Sequence, residues 1–194
     1  MIPPGLYGMA DAGCGDVLGQ VRLLAEEGVA IVQLRCKGWP DARLVEAARY
    51  AAALGMHVVI NDRVDAARTA GVWVHLGQED GPDPDVPFGR STHTLAHVGA
   101  VGQARYLGFG PIFGTTTKET AWSPRGLAAL AEVVRVSPIP VVAIGGIGVD
   151  NVDAVRATGV HAWAVIAGIW GAPEPRAAIR RLTAPGPPVS PGSR

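Results

Sequence analysis

Apolar residues fall along this chain in short continuous runs, and these carry the first structural information. They are LYGMAD (6–11), VAIVQLR (29–35), HVVIND (57–62), VWVHLG (72–77), FGRSTH (88–93), RYLGFG (105–110), VVAIGGI (141–147) and AWAVIAGI (162–169). Several are unbroken rather than alternating, as expected for strands covered on both faces. Between some of them lie segments with helical periodicity, VLGQVRLLAEEG (17–28), DARLVEAARYAAALG (41–55) and PRGLAALAEVVRV (124–136). Glycines 28 and 55 stand where helix C-termini favour them. Eight strands with intervening helices predict an α/β fold, a compact single-domain (β/α)8 TIM barrel; an open doubly wound sheet is the second choice.

Two local features modify that picture. The stretch QEDGPDPDVP (78–87) carries three prolines and is too short for a crossover helix with its loops, so the helix between strands four and five is expected to be missing or reduced to one turn. The barrel is expected over residues 1–182, and the Pro/Gly/Ser-rich end, 183–194, is expected to be a disordered tail.

Composition narrows the function classes. Lys plus Arg number 17 and Asp plus Glu 17, so charge gives no reason to expect nucleic acid or an anionic membrane as partner. No apolar run approaches the length of a membrane span, and a soluble cytoplasmic protein is expected. Cys14 and Cys36 lack metal-site spacing and read as small reduced side chains.

In a barrel, chemistry sits at the C-terminal ends of the strands. There the chain places Gln33, Arg35 and Lys37; Asn61, Asp62 and Arg63; Gln78 and Asp80; Ser91 and His93; and Thr115, Thr117 and Lys118. The turns AIGGIG (143–148) and VIAGIWG (165–171) end strands seven and eight, where this architecture binds phosphate through backbone N–H groups. Asp62 ends strand three and Asp80 lies just past strand four, its neighbour, so the two could share Mg²⁺, which takes one or two carboxylates plus substrate phosphate oxygens. Equally, Asp62 could cap the next helix and Asp80 could be a solvated turn residue. Arg35, Lys37 and Lys118 beside such a metal would suit a polyanion. His57 and His161 read as strand starts and His97 as lying on a helix face. His75 reads as a packed imidazole, His93 as a loop-shaping residue.

The series VQLRCKG, INDRVDAARTAG, VHLGQED, GRSTHT, GPIFGTTTK and PIPVVAIGGI resembles, in order, the motifs of thiamine-phosphate synthases, over about residues 6 to 180. The resemblance implies a Mg²⁺-dependent transferase. It would join 4-amino-2-methyl-5-hydroxymethylpyrimidine diphosphate to a hydroxyethylthiazole phosphate by a dissociative route, giving thiamine monophosphate and diphosphate. It also implies roles: Asp62 and Asp80 as Mg²⁺ ligands; Arg35, Lys37, Asn61 and Lys118 on the diphosphate; Gln33 and Ser91 near the pyrimidine. Thr115 and Thr117 would meet the thiazole phosphate, cradled by backbone at Gly146, Ile166 and Ala167. Family members commonly self-associate, so a homodimer is expected.

Departures from the family pattern are Cys36 for glutamate, Gly38 for aspartate, Ala167 for serine and Trp163 for glycine. The rival within the superfamily is a thiazole tautomerase, which carries a histidine where this chain has Pro111; proline has no proton to exchange. A barrel that binds thiamine precursors without turnover is the rival from outside enzymology.

Overall fold

A computed structural model describes residues 1–100, 102–114 and 122–186. The strands are β1 (Gly5–Asp11), β2 (Ile31–Arg35), β3 (His57–Asn61), β4 (Trp73–Leu76), β5 (Phe88–Thr92), β6 (Tyr106–Phe109), β7 (Val141–Ile144) and β8 (Ala162–Val165). They pair in parallel, each with the next, and β8 returns to β1, so the sheet is a closed barrel. The open doubly wound alternative is excluded by that last pairing.

The helices are α1 (Val17–Glu26), α2 (Asp41–Ala53), α3 (Val64–Ala70), α4 (Gly126–Val136), α5 (Val152–Arg156), α6 (Ala167–Trp170) and α7 (Pro175–Thr183). No helix stands between β4 and β5. The β5–β6 crossover is thin as well, a single 3-10 turn over Leu95–Gly99, and His97 lies on that turn rather than on an α-helix. Helix α7 reaches Thr183, the first residue of the expected tail, and residues 187–194 lie outside the described residues.

Two apolar runs extend beyond their strands. VVAIGGI stops being a strand at Ile144, because Gly145 and Gly146 take φ of 100° and 66°. AWAVIAGI stops at Val165 and turns into α6. Continuous apolar sequence alone does not distinguish a buried strand from the buried helix turn that follows it.

Alternation along the strands makes two cores. Outward residues such as Leu6, Val32, Leu34 and Leu107 pack under the helices. Inward residues, among them Tyr7, Met9, Ile31, Val59, Tyr106 and Val142, fill the barrel, and Ile2 joins them. A Cβ on Gly89 would lie 2.0 Å from the Tyr106 ring, so glycine there is what lets that ring lie inside. Trp163 points outward and is nearly buried. Its Nε1–H donates to the Leu182 carbonyl at 3.2 Å and the Arg156 guanidinium lies 4.8 Å over its ring, so Trp163 docks the last helix.

Candidate active site

The strands' C-terminal ends surround one cleft of about 590 Å³. Gln33, Arg35, Lys37, Asn61, Asp62, Asp80, Ser91, Gly146, Ile166 and Ala167 all line it. Thr115, Thr117 and Lys118 lie outside the described residues.

Arg35 ends β2 opposite Asp11, which ends β1, and the parallel register sets the two side by side. Its Nη1 is 2.5 Å from the Asp11 carboxylate, which also accepts from the Gly13 N–H. The pair is nearly buried, with 13% and 5% of the side chains exposed. Charge-assisted contacts of this kind fix a guanidinium in direction as well as in place. Lys37, two residues on, is exposed. Between them Cys36 is buried, and burial, followed by the Asp11 charge, pushes its thiol up to about 12. It is therefore a protonated, unreactive side chain at neutral pH.

Asp62 follows β3 with φ 64°, the one non-glycine residue in the left-handed region among those described. Such a backbone costs about 1–2 kcal/mol in an L-residue, less for Asp than for most. It does not cap the next helix: the cap position is Arg63, with no side-chain cap bond. Its carboxylate instead accepts from Asn61 Nδ2 at 2.5 Å and faces the cleft. The Asp80 carboxylate folds back onto the Gly77 N–H at 2.5 Å, at the β4 end of the same cleft. Among the described residues no three acidic, His or Cys side chains form a metal-binding group. Two carboxylates on one wall nevertheless suit Mg²⁺, whose remaining ligands would be water and substrate oxygens.

The floor is polar. Gln33 Nε2 donates to Tyr7 Oη at 3.0 Å, and Tyr7 and Tyr106 hydroxyls lie 2.9 Å apart. His75 follows, with Nδ1 2.9 Å from Tyr106 Oη and Nε2 2.9 Å from Ser91 Oγ. Burial raises both phenols' pKa values, so both keep their protons. With Gln33 donating to Tyr7, the direction that uses both phenol protons within the row runs from Tyr7 to Tyr106, from Tyr106 to His75 Nδ1, and from His75 Nε2–H to Ser91. His75 is thus a packed imidazole that also lines the cleft. A Cβ on Gly108 would lie 3.0 Å from its Cε1, so the ring has the room that this glycine leaves.

The opposite wall is backbone. A Cβ on Gly146 would lie 2.4 Å from the Gly114 carbonyl oxygen, so the turn after β7 and the loop after β6 touch there. Asn151 braces the turn: its Oδ1 accepts from the Gly148 N–H and its Nδ2 donates to the Gly146 carbonyl, both at 2.9 Å. Pro111 lies on this side and carries no exchangeable proton. His93 Nδ1–H donates to the Gly110 carbonyl at 2.6 Å, holding the chain just before it.

Sequence reasoning missed Asp11, Tyr7, Tyr106 and Asn151. Asp11 was accessible to the strand-end argument that selected Arg35. The two tyrosines became visible only when strand parity was known, because inward and outward apolar positions look alike in an unbroken run.

The comparisons with known proteins agree with this geometry. A profile described as thiamine monophosphate synthase matches residues 6–169. The thiamine-phosphate synthase of Anaeromyxobacter dehalogenans is 42% identical, over 93% of this chain and 86% of that one. That of Laribacter hongkongensis is 37% identical, over 88% and 89%. The thiamine phosphate pyrophosphorylase structure from Pyrococcus furiosus superposes with a TM-score of 0.82 at 33% identity, covering 92% of this chain and 93% of its own. With a closed eight-stranded barrel, a cleft at its C-terminal mouth and relatives matched over nearly their whole length, this chain belongs to the thiamine monophosphate synthase family.

Proposed function

We propose that this protein is a thiamine-phosphate synthase, coupling the pyrimidine diphosphate to the thiazole phosphate. The observation that carries the reading is the division of one cleft. A wall with two carboxylates, Arg35 and Lys37 faces a wall of glycine backbone, across a hydrogen-bonding floor. Two phosphorylated substrates need two anion sites flanking the reacting centre.

Asp62 and Asp80 would hold Mg²⁺, which when bound would neutralise charge on the diphosphate leaving group. Arg35, fixed by Asp11, grips the same group with Lys37 and Asn61; Lys118 joins them on the sequence reading. Gln33 and the Ser91 hydroxyl orient the pyrimidine, Ser91 having its own hydrogen to donate once it accepts from His75. Backbone at Gly146, Ile166 and Ala167 cradles the thiazole phosphate, with Thr115 and Thr117 assigned there by the motif; Ala167 contributes its N–H alone.

The bond between the pyrimidine methylene carbon and diphosphate oxygen breaks, and its electron pair leaves with the diphosphate. The thiazole nitrogen then donates its lone pair to the carbon. No proton is transferred in forming that bond, so the mechanism makes no demand on Pro111. Tautomerisation must move a proton, which gives the residue its value as a discriminator. Catalysis is positioning and charge stabilisation.

No helix among the described residues is long and apolar enough to cross a membrane. A cytoplasmic homodimer is proposed on family resemblance. The test of function incubates the purified chain with both substrates, with and without Mg²⁺, and follows thiamine phosphate. Mg²⁺-dependent product is expected; no product under any condition overturns the assignment, and precursor binding without turnover would leave the non-catalytic barrel.

A further inference from the structure

Where the crossover helix between β4 and β5 is missing, a buried guanidinium lies instead. Arg90 sits on β5 between inward-facing Gly89 and Ser91, so its side chain points out of the barrel, and only 8% of it is exposed. It donates to the Gly77 carbonyl at 3.2 Å, to the Gly81 carbonyl at 3.4 Å and to the Asp83 carboxylate at 3.2 Å. These acceptors straddle Asp80. Gly77 is the hinge of the arrangement, because its own N–H holds the Asp80 carboxylate and its carbonyl accepts the Asp80 N–H at 3.4 Å. A Cβ on Gly77 would come 2.7 Å from Asp80 Oδ2, so the carboxylate lies directly on the backbone that Arg90 fixes. Asp83 in turn accepts from the Gln103 N–H at 2.8 Å, tying the loop to the segment before β6.

We propose that Arg90 is the positioning residue for Asp80. It replaces the missing helix by gripping the β4–β5 loop on both sides of the carboxylate and setting its direction into the cleft. Burying a guanidinium is costly unless its donors are met, and here it meets three acceptors of one loop in a planar fork that lysine does not reproduce. An apolar side chain could fill the space under the loop but would leave the Gly77 and Gly81 carbonyls without this donor.

The inference rests on Asp80 being a metal ligand, and the experiment separates the two ideas. Binding of Mn²⁺ in the presence of inorganic diphosphate is measured by calorimetry on the full chain, for the parent, Asp80→Asn, Arg90→Leu, Arg90→Lys and Asp83→Ala, beside melting temperature. Asp80→Asn is expected to weaken Mn²⁺ binding. Arg90→Leu is expected to weaken it by about 10-fold or more, the scale seen when groups behind a metal ligand are removed. Arg90→Lys should fall between that variant and the parent, with KM for the thiazole phosphate unchanged throughout. A lowered melting temperature with parental Mn²⁺ affinity in Arg90→Leu would reduce Arg90 to a structural residue and overturn the proposal. Should Arg90→Leu fail to fold, Asp83→Ala removes an acceptor of the same clamp from the surface side, and unchanged affinity there overturns it equally. Parental affinity in Asp80→Asn would remove Asp80 as a ligand, and this inference with it.

Discussion

Arg35 Nη1 lies 2.5 Å from the Asp11 carboxylate, so the cation at the proposed diphosphate wall is held by a partner from the neighbouring strand before any substrate arrives. This pairing orients the guanidinium and also offsets part of its charge, and the two effects can be separated kinetically. Asp11→Asn keeps an acceptor and removes the charge. It should lower kcat about 10-fold, as misplacement of a positioning group does, while KM for the pyrimidine diphosphate changes less. Steady-state kinetics decide it; a raised KM with unchanged kcat would show that Asp11 is not orienting Arg35.

Strain at Asp62 predicts a trade between stability and activity. Asp62→Gly relieves the left-handed backbone, stabilising the fold by about 1 kcal/mol. It also removes a proposed Mg²⁺ ligand, and turnover should drop by roughly 100-fold. Urea denaturation and turnover measured on the same preparation test both halves. A destabilised Asp62→Gly would mean the φ of 64° costs less than the lost Asn61 hydrogen bond and the chain freedom that glycine adds.

Tyr106→Phe keeps the ring and deletes the hydroxyl shared by Tyr7 and His75. Leaving buried polar partners unmet should cost about 1–3 kcal/mol. It should also lower kcat/KM for the pyrimidine substrate, since the His75 tautomer that donates to Ser91 loses its support. Full activity in this variant would show that the role proposed for Ser91 does not depend on the row behind it.

His57 supplies a pH prediction far from the cleft. Burial and the N-terminal charge lower its pKa, and its Nε2 is a buried nitrogen without a hydrogen-bond partner, packed edge-on to Trp73. A depressed folded-state pKa means that the unfolded chain takes the proton first. Its contribution is therefore complete above pH about 6.5 and is lost as pH falls from there through the folded value. His57→Gln should lose less stability than the parent between pH 7 and pH 5, read as the difference in urea midpoints. Parallel curves would show that His57 titrates alike in both states.

The strand-end polar residues and the Pro-rich link were legible because each is a local signal. A charged residue closing an apolar run, or three prolines where a helix is needed, has the same meaning in any tertiary setting. The turn after β7 was legible for the same reason, since only glycine readily takes two successive positive φ values. The thinness of the β5–β6 crossover was not. TLAHVGA has apolar and polar residues at plausible helical spacing, yet it closes only a 3-10 turn over 95–99. The alternative role for Asp62, capping the next helix, was open in the sequence and is settled by backbone geometry.

By itself the sequence determined the order of eight strands, the gap in the helical layer, and which strand ends carry carboxylates, guanidinium and glycine turns. Tertiary structure alone decided how those groups are held. Asp11 meets Arg35 across 24 residues, and Tyr7 meets Tyr106 across 99. Arg90 reaches back to grip the loop that carries Asp80. These pairings depend on strand register and on closure of β8 against β1, which fix at once which alternate residues face inward. Local patterns place chemistry at the barrel's mouth; closure of the barrel gives that chemistry its geometry.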